Sequence, residues 1–281
     1  MVKHIAVGLD GSANAGTALR LAIELAGRVH GVVHGIHVVD ATFLEGAFIT
    51  DISGSMGFEP FLNLQSQMRA TLDEVAGVVR SDFDERCGAA SIESRFHLER
   101  AGVAHGVLAA SKLADVLFVG QRGVNARFHE DLLGATAETL LRRSPVPVLV
   151  VPAAAELPGR PLAAYDGSPK ATRALQQAAE LTRALGLPLT VATVDVQEGR
   201  GRARLDEAER YLAPYEVKAE YAFVPGEAVE QELLRLLAPG RHDLVFLGAH
   251  GHRRIVELVL GSTSQYLARR SPVPVWCVTR A

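Results

Sequence analysis

At 281 residues the chain is too long for one small domain and fits two of about 140 residues each. A net charge of −3 argues against a general nucleic-acid surface. The two cysteines, Cys87 and Cys277, lack metal-ligand spacing, form no disulfide framework and suit a reducing cytoplasm. No apolar run is long enough to span a bilayer and Met1 to Asp10 does not read as a signal peptide, so a cytoplasmic protein with no membrane partner is expected.

The first predicted strand, His4 to Leu9, ends on Asp10-Gly11-Ser12. Leu19, Ala22, Ile23 and Ala26 then fall at helical spacing, with Ser12 placed to cap that helix. The β-branched run Val32 to Val39 is the second strand. From Ala41 to about Leu62 the chain is apolar, Gly-rich and without period, which suits an ordered loop that covers something rather than a free linker. A polar helical stretch, a strand near Ser94 to Leu98 and a short helix follow. The strand Asp115 to Gly120 runs into Gly120-Gln-Arg-Gly123, ten residues, then Gly134-Ala135-Thr136, a helix, Arg142-Arg143-Ser144-Pro145-Val146-Pro147-Val148 and a last strand, Val146 to Val151. The linker is Ala153 to Gly159, so domains are expected over 1–152 and 160–281.

The second half says the same again. Pro161 to Tyr165 precede Asp166-Gly167-Ser168, and Pro169 takes the first helical position. Leu175, Ala178, Ala179 and Thr182 keep helical spacing; Leu189 to Val196 and about Lys218 to Val224 read as strands. The strand Asp243 to Gly248 runs into Gly248-Ala-His-Gly251, nine residues, then Gly261-Ser262-Thr263-Ser264, a helix and Arg269-Arg270-Ser271-Pro272-Val273-Pro274-Val275, with Val273 to Val278 as last strand. The opening aspartates lie 156 residues apart and the first loop glycines 128, so the second copy is 28 residues shorter, in the region of Ala41 to Leu62 and the helix after it. Strands alternating with helices argue for α/β halves with a parallel sheet covered on both faces.

In an open parallel sheet, ligands bind outside the carboxyl ends of the strands. Asp10, Gly120, Asp166 and Gly248 sit at such ends. Gly248 and Gly251 let the chain turn tightly beside a ligand, and Gly261-Ser262-Thr263-Ser264 opens a helix whose free N–H groups and hydroxyls face a phosphate. One helix-end contact is worth about 0.3–1 kcal/mol, whereas micromolar binding needs about 8 kcal/mol. Several phosphate contacts and a base and sugar pocket are therefore required. Arg122, Arg127, Arg253 and Arg254 in the glycine loops could neutralise phosphates, although loop arginines are often only solvated. His129, His250 and His252 have no ligand spacing, so no protein metal site is expected; a divalent ion such as Mg2+ carried by the phosphates is the better expectation. The chain has no Gly-Lys-Ser/Thr of a Walker loop, and no base or charge clamp for phosphoryl transfer can be named.

Both halves resemble the universal stress protein family, and the whole chain resembles a tandem member. The ATP-binding subset carries Gly, two residues, Gly, nine residues, Gly-Ser/Thr, and residues 248 to 262 match it in full. The likeness extends over Asp166, Val194 and the Ser-Pro-Val-Pro-Val strand. It implies two Rossmann-like, five-stranded parallel sheets in order 3-2-1-4-5. It also implies a nucleotide held by Asp166, Val194, Gly248, Gly251, Gly261, Ser262, Thr263 and Ser264. In the first half the matching residues are Asp10, Val38, Gly120, Gly123, Gly134, Ala135 and Thr136; this loop holds one more residue and Ala135 replaces the Ser/Thr. ATP is the implied ligand, and since the motif does not count phosphates, AMP and cyclic AMP stay open. A nucleotide-binding stress-response protein with a further protein partner is the leading expectation; a slow ATPase or self-phosphorylating enzyme, and a nucleotide-free scaffold, are the alternatives. Single-domain members pair through the last strand, so the resemblance implies an intrachain pseudo-dimer, with homodimerisation of the whole chain open. Pro145, Pro147, Pro272 and Pro274 remove donors near those edges.

Overall fold

The computed structural model describes residues 2–40, 59–124, 133–249 and 261–279, with backbone alone for 59–65. The first half runs β1 (His4–Gly8), α1 (Ala13–Val29), β2 (Val32–Asp40), α2 (Glu59–Ala89), β3 (Ser94–Ala101), α3 (Val103–Ser111), β4 (Val116–Gly120), α4 (Ala135–Arg143) and β5 (Val148–Val151). The second runs β6 (Pro161–Ala164), α5 (Pro169–Leu185), β7 (Leu189–Asp195), α6 (Glu198–Leu212), β8 (Ala219–Pro225), α7 (Val229–Leu236), β9 (Leu244–Gly248), α8 (Ser262–Arg270) and β10 (Val275–Val278).

The ten strands among the described residues form one sheet, ordered β3-β2-β1-β4-β5-β10-β9-β6-β7-β8. Each half therefore has the order 3-2-1-4-5, and every pairing within a half is parallel. The halves meet where β5 and β10 pair antiparallel, with Val150 opposite Val275 and Val148 opposite Cys277. The expected pseudo-dimer is thus a continuous sheet, and the two last strands close each other's edges.

Local chemistry accounts for the repeat. Ser12 and Ser168 each accept a hydrogen bond from the N–H three residues on, at 3.2 Å, which caps α1 and α5. Pro169 opens α5, where its missing N–H costs nothing. The apolar stripes expected for these helices are buried: Leu19, Ala22 and Ala26 in one, Leu175, Ala178 and Ala179 in the other. One core cluster lies on the face covered by α1, α2, α5 and α6; the other lies under α3, α4, α7 and α8.

Several element ends differ from expectation. Asp115 and Asp243 precede their strands: each carboxylate instead accepts two main-chain N–H groups, of Lys3 and His4 or of Gly159 and Arg160, and so clamps the start of β1 or β6. The last strands begin two residues late because the Ser144 and Ser271 hydroxyls bond both main-chain groups of Val146 and Val273, making turns of the Ser-Pro-Val segments. β3 extends to Ala101 because β2 pairs with it as far as Asp40. Val196 lies beyond β7 and is exposed. The 59–62 end of the expected loop is helical, and 41–58 lie outside the described residues. The shortening of the second copy falls partly in this helix, since α2 has 31 residues and α6 has 15.

Candidate functional site

At the carboxyl ends of β6, β7 and β9 the second half encloses a cavity of about 600 Å3. Asp166, Val194, Gly248, Gly261, Ser262, Thr263 and Ser264 all line it, so seven of the eight residues expected there come together; Gly251 lies outside the described residues. Ala192, Val194, Val229, Leu233 and Leu247 give it an apolar wall. At the other end α8 begins. Gly261 is its N-cap and supplies no side-chain bond, so among the described residues no side chain caps the first N–H groups of the helix beside the cavity.

Each glycine and hydroxyl in this wall has its own reason. Gly167 turns at φ +80°, and Asp166 Oδ1 accepts the Ser168 N–H at 2.9 Å, which fixes the carboxylate at the strand end. A Cβ on Gly248 would stand 2.8 Å from Ala171 N and Lys170 C, so the approach of α5 by itself requires this glycine. Ser264 is buried and its hydroxyl donates to the Gly248 carbonyl at 3.0 Å. It ties α8 to the glycine; Ser262 is exposed and Thr263 partly exposed at the mouth.

The cavity also has members that the sequence reading missed. Asp195, at the end of β7, is 5% exposed and is held by Arg200 through two bonds of 2.6 Å, by Arg204 at 2.9 Å and by the Gln197 N–H at 2.9 Å. The hydrogen bond from Arg200, then that from the Gln197 amide, keeps its carboxyl well below the usual carboxylate range. Arg200 and Arg204, one turn apart at the start of α6, line the cavity with Glu227 from beyond β8. The spacing of the two arginines is a helix-face signal, but it points to Asp195 only once the start of α6 is known.

In the first half, Asp10 Oδ1 accepts the Ser12 N–H at 2.9 Å, with Gly11 at φ +78°. A Cβ on Gly123 would meet Asp10 Oδ2 at 2.9 Å, and one on Gly120 would meet Asn14 Cβ at 2.7 Å. Gly134 caps α4, whose first turn holds Ala135 and Thr136, again with no side-chain cap. Val38 lies near the end of β2, where α3 packs close enough that a Cβ on Gly106 would stand 2.9 Å from it. Arg127, Arg253, Arg254, His129, His250 and His252 lie outside the described residues. Among the described residues no helix is long and apolar enough to cross a membrane, and no group of three or more His, Cys, Asp or Glu side chains is arranged to hold a metal ion.

Two doubly wound halves joined edge to edge, each with a glycine as the N-cap of the helix before its last strand, define a tandem Rossmann-like α/β protein. A sequence model of the Universal stress protein family matches residues 1–152 and 160–279. A universal stress protein of Synechocystis is 31% identical over 284 residues, covering 98% of this chain and 99% of the relative. The chain belongs to the universal stress protein family, as a tandem-domain member. A universal stress protein of Mycolicibacterium smegmatis is 27% identical over 301 residues, covering 98% and 96% of the two chains. The crystal structure of a universal stress protein from Archaeoglobus fulgidus shares the fold with a TM-score of 0.76 at 23% identity, covering 99% of this chain and 98% of that one.

Proposed function

We propose that the second half binds an adenine nucleotide, ATP first, and that the chain serves the stress response as a nucleotide-binding regulatory protein. The observation that carries this reading is the cavity itself. One space of about 600 Å3 joins an apolar wall fit for a base, the Asp166 carboxylate fit for a sugar hydroxyl, and the first N–H groups of α8 fit for phosphate. Its volume falls within the range of about 300–1,000 Å3 usual for small-molecule sites. Asp166 and Val194 would hold the nucleoside; Gly261, Ser262 and Thr263 would hold phosphate. A divalent ion would travel with a triphosphate. Binding is favoured over self-phosphorylation at Ser264, because that hydroxyl is buried and engaged with Gly248. The first half offers a second, unequal site around Asp10, Gly120, Gly123 and Gly134.

Calorimetry with ATP tests the reading in Asp166→Ala and Gly261→Val. Gly261 has φ −63° and ψ 146°, which any residue adopts, so valine there narrows the cavity without straining the backbone. Each variant is expected to lose at least about tenfold in affinity, which is about 1.4 kcal/mol. Unchanged affinity in both, with native melting curves, overturns the assignment. Mass spectrometry of ligand released from native protein separates ATP from AMP and cyclic AMP.

A further inference from the structure

We propose that Gln121 couples the two nucleotide sites, so that a nucleotide settling on the first half's glycine loop weakens binding in the second half; this rests on the nucleotide reading above. Gln121 follows Gly120 in the first glycine loop and is 6% exposed. Its carbonyl accepts the N–H of Gly134, the N-cap of α4, at 3.0 Å, and its own N–H donates to Val151 at 2.8 Å. Its side-chain amide crosses into the second half. Nε2 donates to the carbonyls of Ala268 at 2.9 Å and Ser271 at 3.2 Å, at the last turn and C-cap of α8. Helix ends leave such carbonyls without intrahelical partners, and a buried one left unpaired is costly. The helix whose first turn lines the second cavity therefore depends, at its far end, on a residue of the first loop.

The dependence is unequal. Ala249 takes the matching place after Gly248; it is fully buried and has no amide to offer. The matching C-cap carbonyl of α4, that of Ser144, is instead bonded by the Thr279 hydroxyl at 3.0 Å, beyond β10. A second link joins the same two helices: Glu138 on α4 accepts from Gln265 on α8 at 3.1 Å and lies 3.8 Å from Arg269.

The described start of the first loop, Arg122 and Gly123, lies against the group that a nucleoside would use. Gly123 packs so near Asp10 that a Cβ would stand 2.9 Å from Oδ2, and the Ser12 hydroxyl donates to the Arg122 carbonyl at 3.4 Å. A ligand touching both Asp10 and the loop must part them. That movement carries Gln121, takes its amide off α8 and leaves two carbonyls unpaired, so opening the first site and firming the second oppose each other. Thermodynamic linkage makes the effect mutual: a nucleotide in the second half weakens the first half's site by the same factor.

The first-half affinity for ATP, measured by calorimetry on the full chain, tests this in four proteins. In wild type it is read with the second site filled; in Asp166→Ala it is read with that site disabled. The same pair is then compared with Gln121→Ala added, or with Gln121→Met if the alanine variant does not fold. The expected result is a first-half affinity several-fold higher in Asp166→Ala than in wild type, and equal in the two proteins once Gln121 is replaced. Equal affinities with Gln121 intact, a difference that survives its replacement, or no binding event in Asp166→Ala overturns the coupling while the wild-type event upholds the nucleotide reading. A wild type that binds no ATP overturns both.

Discussion

Gly35 and Gly201 each lie under an aromatic ring. A Cβ on Gly35 would stand 2.6 Å from the Phe83 ring, and one on Gly201 would run into the Phe223 ring. Alanine at either site forces the ring or the backbone to move and is expected to destabilise by about 1–3 kcal/mol. Gly77, inside α2 with nothing within 4 Å of its added Cβ, is the control; alanine there should stabilise by about 0.5–1 kcal/mol. Urea unfolding of the three variants checks the contrast, and a neutral Gly201→Ala contradicts the packing. Such contacts mark what the sequence could not tell. Gly248 was legible as a necessary glycine, but its reason, the backbone of α5, lies 77 residues away at Ala171 and appears only on folding. The thiols follow the same logic. Burial pushes Cys277 up to about 12 and raises Cys87 as well, and the thiolate is the reactive form. A thiol reagent should find neither group in the native protein and both after denaturation; fast native labelling would contradict this burial.

At the scale of elements, a row of histidines ties the first three strands together. His4 Nδ1 lies 3.1 Å from His34 Nε2, and His34 Nδ1 lies 3.2 Å from His97 Nε2. Each contact needs one N–H and one lone pair. Three imidazoles carrying one extra proton still have a lone pair for each contact; a second extra proton breaks one. His34 is lowered from its ordinary value by burial first, then by His97, His4 and Arg95, with Glu93 opposing. A folded state that binds this proton less readily than the unfolded chain gains stability above pH ~6.5 and loses it as pH falls through the folded value. The urea midpoint is expected to drop from about pH 7.5 to about pH 5, and to drop less in His34→Gln. An identical slope in the variant would remove the row from the account. The histidines were visible in the sequence, but their alignment needs the parallel register of β1, β2 and β3. Elements set by local chemistry were legible: the capped helices α1 and α5 and the strands entering each glycine. The Asp195–Arg200–Arg204 set was not, because it depends on where α6 starts after β7.

At the scale of the molecule, the sheet is carried from one half to the other by three residues from each of two short strands, and the register there is chemically testable. β5 and β10 run antiparallel with Val148 opposite Cys277. Directly opposed residues in an antiparallel pair have Cα atoms about 4.5–5.5 Å apart, within the span of about 4.4–6.8 Å that a disulfide bridges. Val148 and Cys277 are both fully buried and belong to the same core cluster, so their side chains share one face of the sheet. A single substitution, Val148→Cys, therefore places a second thiol beside a natural one. Because burial keeps the Cys277 thiol protonated, adding an oxidant to the folded protein should form the bridge slowly. Oxidative refolding, in which the thiols meet before the core closes, should form it readily. The product expected is a monomer with faster migration on a non-reducing gel, a 148–277 linked peptide by mass spectrometry, and a higher melting temperature, since the bridge closes a long loop in the unfolded chain. A bridge between two chains would mean that halves pair across molecules and that the continuous sheet belongs to a dimer. Absence of any bridge after refolding to the native spectrum would refute the register itself, and with it the route by which Gln121 reaches α8.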